Sequence, residues 1–391
     1  MNQIVTHPLR IHTLFPHYNT GRANSHAALS ICAGLIRHGA KVRVFVPASD
    51  SHARLAFTHD CLPRFLKSLA YKLPHAIPRI LAVTEHRYLA ALKEGEIAYL
   101  WPGTSLTLYR RLRDRGVAIV VERINCHPAI AKRILDVEYT QLGWPIDHLV
   151  SDSLIEEERV ELEMADLVFS ASPEVDRCML EEGVPNTKII PCSYGWDPER
   201  LAPARAAGLA RTPRDQFTVL FLGLACIRKG IHLLLEAWRR AQIGGRLLIA
   251  GGMAANVANN LKEQLAYSGV TVLGHVADVA ALFRDADVMA LPTLEEGGPL
   301  VTYEAMAAGL VPLVSPMGAG RIVRNAVDGV VLLPHDLDGW ASALQRLAHD
   351  YGWRRQLAES AVARAQDFTW LECARVRLAH LQRAFGPAQR E

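Results

Sequence analysis

The strongest constraint on the fold is a rhythm in which short apolar runs alternate with helical segments along the whole chain. In the first half, Leu9–Phe15, Lys41–Val46, Ala118–Glu122 and Leu167–Ser170 read as strands. Between them lie amphipathic helices over about Ala23–His38 and Leu106–Arg115. Ser153-Leu-Ile-Glu156 has capping-box spacing and opens an acidic helix to about Met164. Ser172-Pro173 starts another, which stops at Gly183. The second half repeats the pattern, with strands at Phe217–Leu222, Arg246–Ala250, Val270–Leu273, Val288–Leu291 and Val311–Ser315 and a helix over Gly230–Ala241. Such alternation predicts an α/β fold with parallel, doubly wound sheets. With 391 residues the chain exceeds one ordinary core, so two domains are expected, 1–198 and 199–369. The Ala-, Arg- and Pro-rich stretch Pro203–Gln216 reads as the linker.

Two α/β domains with a cleft between them place ligands at the carboxyl ends of strands. One such end is the run Leu291-Pro-Thr-Leu-Glu-Glu-Gly-Gly-Pro-Leu-Val-Thr-Tyr-Glu-Ala-Met-Ala-Ala-Gly309, read as a strand end, a glycine turn and a short helix. Pro299 suits the first helical position and Gly309 the left-handed cap beyond the last. The turn then presents free backbone N–H groups and a positive dipole end, with Glu296 on the turn and Glu304 on the helix. That combination suits a ligand carrying both phosphate and hydroxyls. A second strand end, Gly223–Gly230, carries Arg228 and Lys229 just before a helix.

The net charge of +3 hides an uneven distribution. Residues 1–134 hold 19 Lys/Arg against 7 Asp/Glu, whereas residues 135–200 hold 4 against 16. This polarity concerns surface fields and partners rather than fold. Seven scattered cysteines form no Cys-x-x-Cys pair and no metal-ligand spacing, which fits a reduced compartment. No apolar run approaches the ~18–20 residues of a membrane span, and the first residues lack the pattern of a secretory leader. A cytoplasmic protein is expected.

These motifs together resemble the retaining glycosyltransferases of family 4, which have two facing Rossmann-like domains and an interdomain cleft, the GT-B fold. The resemblance is carried by Glu296 and Glu304 with seven residues between them, and by Glu304-Ala-Met-Ala-Ala-Gly309. Arg228-Lys229-Gly230, Leu273-Gly-His-Val276, Ala286-Asp-Val288 and Tyr194-Gly-Trp-Asp197 add to it. It implies that Glu296 lies by the donor sugar, that Glu304 binds the nucleotide ribose, and that Arg228 and Lys229 hold the donor diphosphate. Gly297-Gly298 replaces the more usual Gly-Phe-Gly, and Pro299 removes one amide, so Leu300 and Val301 become the amide donors beside Gly298. Leu224 stands where relatives often carry Arg. Gly274 and His275 fall at the nucleobase pocket, His127 near the donor sugar, and Asn19-Thr-Gly21 on the acceptor loop. The resemblance further implies a C-terminal helix, about 370–391, that packs back on the first domain.

The function expected from this resemblance is sugar transfer from a nucleoside-diphosphate sugar, UDP- or GDP-linked, to a saccharide or lipid-linked hydroxyl in bacterial polysaccharide or glycolipid assembly. No metal, resident cofactor or nucleic-acid partner is expected. A nucleotide-sugar epimerase and a non-catalytic nucleotide-sugar-binding subunit on the same architecture are the alternatives. Four further features are read as structural. Asp285-Ala-Asp287 sits in a helix-to-strand passage, and Gly318-Ala-Gly320 lacks a third small residue at Val323. Glu156-Glu-Glu158 reads as a solvated first helical turn. The basic amphipathic stretch Leu62–Leu73 reads first as a core-facing helix and second as a peripheral contact with anionic lipid.

Overall fold

Apolar runs buried along their whole length belong in the middle of a sheet covered on both faces. Ile97–Leu100, Val288–Leu291 and Val311–Val314 are buried at every position. In the computed structural model, which describes residues 8–63, 76–209 and 216–386, these runs lie inside two parallel sheets. The first sheet contains β1 (Arg10–Leu14), β2 (Lys41–Val46), β3 (Thr58–Asp60), β4 (Ile97–Leu100), β5 (Ala118–Arg123), β6 (Leu167–Ser170) and β7 (Ile189–Pro191), in the order β3-β2-β1-β4-β5-β6-β7. The second contains β8 (Phe217–Leu222), β9 (Gly245–Ala250), β10 (Val270–Gly274), β11 (Val288–Leu291), β12 (Val311–Val314) and β13 (Val330–Val331), in the order β10-β9-β8-β11-β12-β13. Every named pair is parallel, as between β1 and β4 and between β8 and β11. The architecture is that of two Rossmann-like lobes.

In each sheet the chain winds outward from one central strand, then returns to start again on its other side. That reversal falls between β1 and β4 in the first sheet and between β8 and β11 in the second. Loops leaving a switch point diverge to opposite faces, which opens a crevice at the carboxyl ends of those strands.

The segment read as a linker begins as a helix, Pro198–Leu209, with Pro203 inside it. Asp197 initiates this helix, its Oδ1 accepting from the amides of Glu199 and Arg200 at 2.9 and 3.2 Å, and alanines around Pro203 sustain it. The acidic helix Asp152–Met164 is capped by Ser151, whose Oγ accepts from the Leu154 amide at 3.2 Å, not by Ser153. Glu158 on that helix is not solvated. It turns inward to the buried Arg123 at 3.4 Å, and burial pushes its carboxyl up to about 7.

The chain crosses between lobes twice. After the second sheet, the peptide at Trp370 pairs with Trp196, and the helix Trp370–Phe385 then lies on the first lobe's Ala23–Arg37 helix. Its Arg377 reaches the centre of the first sheet. There, Nη2 and Nε donate to Glu122 of β5 at 2.6 and 3.3 Å, Nη1 donates to the Ser193 carbonyl at 2.8 Å, and the Tyr99 hydroxyl also donates to Glu122. Both charged side chains are fully buried. Among the described residues, no helix is long and apolar enough to cross a membrane. Most of the Leu62–Leu73 stretch lies outside the described residues.

Candidate functional site

The two loops that leave the second switch point are stitched together before any side-chain charge is considered. After β8 the chain makes a short helical turn, Ile227–Lys229, and Gly230 begins the Ile231–Ala241 helix in the left-handed region. Only glycine fits there, because a Cβ would stand 2.0 Å from the Pro292 carbonyl oxygen. From the loop after β11, the Leu294 amide and the Thr293 hydroxyl both donate to the Arg228 carbonyl, at 2.9 and 3.1 Å. Ser315, at the end of β12, donates to the Thr293 carbonyl at 2.6 Å. The backbone carrying Arg228 and Lys229 is thereby fixed against the backbone carrying the acidic pair.

Four charges converge on this frame. Arg228 Nη1 donates to the Glu295 carbonyl at 3.1 Å and to the Glu295 and Glu296 carboxylates at 3.3 and 3.4 Å. Lys229 Nζ pairs with Glu296. Burial, and then the neighbouring Arg228, draw the Lys229 ammonium down to about 7, with Glu295 pulling the other way. Of the residues singled out in the sequence, Glu296, Arg228 and Lys229 meet here. It does not single out Glu295, which is only 3% exposed and sits at the centre of the cluster; the signal available was a second carboxylate directly before the first.

The turn leads into the Leu300–Ala307 helix. Pro299 is the cap of this helix rather than its first residue, since its extended backbone (ψ 104°) has not yet entered helical geometry. Gly309 follows the helix with φ 81°, the left-handed stop expected of it. The amides of Leu300 and Val301 belong to the first turn, where no helical partner exists. Glu304 does not join Arg228 and Lys229. Its Oε1 pairs with Arg200 Nη2 of the crossover helix at 3.0 Å, and burial raises its carboxyl against that pairing.

The first lobe closes directly over the turn. A Cβ on Gly297 would lie 2.1 Å from the Ile124 carbonyl oxygen, Gly298 packs on Tyr194, and Cys126 Sγ donates to Glu295 Oε1 at 3.4 Å. The next residue, His127, is turned away. Its fully buried ring caps the Pro128–Leu142 helix, Nδ1 accepting from the Ala129 amide at 3.2 Å, and burial lowers its pKa to about 4. It lines a first-lobe pocket with Arg159, Glu182 and Lys188, and it is the preceding residue, Cys126, that meets the turn. Asn19 is also committed locally. Its amide donates to Ser49 Oγ and the Ala53 carbonyl at 3.1 and 3.0 Å, and its Oδ1 accepts from the Gly21 amide at 3.0 Å. This orders the loop after β1 rather than offering a free group. Gly274 closes β10, where its carbonyl accepts from the Gly251 amide at 2.7 Å, and His275 beside it is exposed.

Two further seams were not legible in the sequence. Arg321, just past Gly318-Ala-Gly320, donates to both Asp176 oxygens at 2.6 and 2.5 Å and to the Cys192 carbonyl at 2.6 Å. Glu138 of the first lobe lies between His232 and His335 of the second, at 2.6 and 2.7 Å. Asp287 has the structural role expected of it, accepting from the Thr218 amide at 2.9 Å. Among the described residues, no group of three side chains could hold a metal ion.

The seam yields a testable consequence. Gly297→Ala sets a methyl against a backbone carbonyl that has no rotamer to escape into, so the lobes must part. A larger radius of gyration by small-angle scattering is expected, with the melting temperature little changed; an unaltered scattering profile would mean that the seam relaxes locally.

Comparison with known proteins agrees with this architecture. Residues 216–350 match the family model described as glycosyl transferases group 1. Over 234 residues the chain is 33% identical to a D-inositol 3-phosphate glycosyltransferase of Xylanimonas cellulosilytica, covering 57% of this chain and 55% of that protein. A protein of the same name from Paenarthrobacter aurescens is 26% identical over 243 residues, 58% of this chain and 60% of that protein. The chain thus spans little more than half the length of these relatives. Among solved structures, sucrose-phosphate synthase from Thermosynechococcus elongatus superposes with a TM-score of 0.71 at 22% identity, covering 96% of this chain and 98% of the other. HepE of Anabaena in complex with UDP and glucose gives 0.65 at 18% identity, covering 96% and 100%. WaaG, a glycosyltransferase of lipopolysaccharide biosynthesis, gives 0.65 at 15% identity, covering 95% and 99%. The fold is the two-lobed GT-B arrangement of these structures.

Proposed function

We propose that the chain transfers a sugar from a nucleoside-diphosphate sugar to an acceptor hydroxyl, with retention at the anomeric carbon. The observation that carries this reading is the convergence of Glu296, Arg228 and Lys229 at the carboxyl ends of β8 and β11, on the loop that leads into the Leu300–Ala307 helix. A leaving nucleoside diphosphate gains negative charge as the glycosidic bond breaks, and Arg228, with Lys229 in its protonated form, stabilises that charge. Glu296 can accept from neighbouring sugar hydroxyls, which favours the ionised acceptor. Glu304 takes the ribose by exchanging Arg200 for its hydroxyls. The acceptor attacks on the face from which the diphosphate departs, and a diphosphate oxygen takes its proton. Charge stabilisation falls to Arg228 and Lys229 rather than to a metal. His127 has no part in this reading.

The donor is taken to be UDP- or GDP-linked. The UDP named with HepE weighs toward the first. The acceptor is taken to enter past the Asn19–Gly21 loop, which follows β1 at the first switch point. The basic surplus of residues 1–134 suits an anionic acceptor, and the phosphorylated cyclitol in the relatives' name points the same way. A role in polysaccharide or glycolipid assembly fits the company of WaaG.

Titration calorimetry against UDP, GDP, ADP and TDP tests the reading. Micromolar binding of one is expected, with transfer or hydrolysis of its sugar conjugates; a folded protein that binds none would overturn it. The same titration examines Lys229. Because the free ammonium sits at about 7 and a diphosphate favours its charged form, binding at about pH 8 should take up close to one proton, falling toward none at about pH 6. Affinity should weaken as pH rises through 7. Equal heats in buffers of different ionisation enthalpy at pH 8 would remove Lys229 from the phosphate site.

A further inference from the structure

Glu295 stands one residue before the acid assigned to the donor sugar, and nothing above gives it a role in the reaction. Its side chain is nearly inaccessible and has two partners, Arg228 Nη1 at 3.3 Å and Cys126 Sγ at 3.4 Å. Its backbone carbonyl accepts from the same guanidinium at 3.1 Å. Thr293 and Leu294 hold the Arg228 carbonyl from the other side, so the backbone that carries Arg228 is fixed beside Glu295, and the guanidinium meets both the carboxylate and the carbonyl of that residue. Glu296 differs, for its partners are the two cation heads alone among the recorded contacts.

The resting cluster therefore holds two carboxylates against two cations. A nucleoside diphosphate that arrives with its own negative charges competes with both carboxylates. Glu296 is released toward the sugar, whereas Glu295 stays on Arg228 and continues to cancel part of its charge. Its negative field is felt across the seam, where Glu295 and Glu161 add to the burial that raises the Glu158 carboxyl.

We propose that Glu295 is a positioning residue that holds down the affinity of Arg228 for the diphosphate, so that the product nucleoside diphosphate leaves after transfer. The proposal rests on the sugar-transfer reading and concerns the balance between capture of donor and release of product. A buried counter-ion weakens binding of a like-charged ligand, and part of the binding energy is withheld from a species that must dissociate. Cys126 donates from the first lobe to the other oxygen of Glu295 at 3.4 Å, which turns the remaining oxygen to Arg228.

The test is Glu295→Gln, which keeps the shape and an acceptor oxygen for Arg228 while removing the charge. Calorimetry with UDP, or whichever nucleoside diphosphate the wild type prefers, should show binding at least fivefold tighter. Steady-state kinetics should show KM for the donor and kcat falling together, with stronger product inhibition. Looser packing alone would weaken binding instead. Unchanged or weaker nucleotide affinity in a folded E295Q overturns the proposal. If E295Q does not fold, Glu295→Asp draws the charge back by one methylene and must still tighten binding, by a smaller factor; wild-type affinity in that variant overturns it equally. A wild type that binds no nucleoside diphosphate would sink the sugar-transfer reading itself, whereas these variants speak only to Glu295.

Discussion

Glu296→Gln should leave the protein folded and able to hold a nucleoside diphosphate, yet lower turnover by roughly 10²- to 10³-fold. In the resting protein the Glu296 carboxylate is nearly buried and bound to Lys229 and Arg228. Glutamine fills the same space and can still accept one hydrogen bond. It cannot supply the negative charge that would face the sugar as positive character develops at the anomeric carbon. Removing one carboxylate from a cluster with two cations leaves a positive excess, so nucleotide affinity should hold or rise. Parallel assays of sugar transfer and of nucleotide binding separate the two effects. Full turnover would remove the central role of Glu296, and a joint loss of binding and turnover would make it a scaffold for the cations instead.

Arg377→Met should be the most damaging single change to stability, at about 3–5 kcal/mol. The substitution leaves the Glu122 carboxylate buried with tyrosine hydroxyls, Tyr99 and Tyr194, in place of a cation, and it removes the donor to the Ser193 carbonyl. Arg377 also lies over the Phe169 and Tyr194 rings, 5.4 and 5.9 Å from their centroids, so packing is lost along with charge. Urea unfolding should show the loss, and pairing Arg377→Met with Glu122→Leu should recover part of it, because an apolar pair removes the stranded charge. A double variant no better than the single would show that the cost lies in the rings and Tyr99 rather than in the uncompensated carboxylate.

Strand positions were readable because burial on both faces writes an uninterrupted apolar run, and β2, β6, β8 and β11 begin and end where the sequence places them. The Glu296 turn was readable because glycines, a proline and a carboxylate at a strand end serve few purposes together. The seams between lobes were not. Glu138 with its two histidines and Arg321 with Asp176 join residues separated by about a hundred positions or more, and no local periodicity encodes such pairs. His127 shows how local geometry claims a side chain. A histidine soon after a strand end suggests chemistry, but local geometry made it a helix cap and gave Cys126 the position facing Glu295. Pro203 misled for a related reason, since a residue that usually ends helices was outvoted by its alanine neighbours and by the Asp197 cap.

The return of the last helix to Glu122 has a consequence for how the protein is made. The lobe synthesised first holds a carboxylate in its centre with tyrosine hydroxyls but no cation until Arg377 is translated. Roughly 190 residues must be translated in the interval, about ten to forty seconds at ~5–20 residues per second. Through that period the amino-terminal half lacks the cation that its central carboxylate meets in the finished fold, and a chain truncated before Arg377 never acquires it.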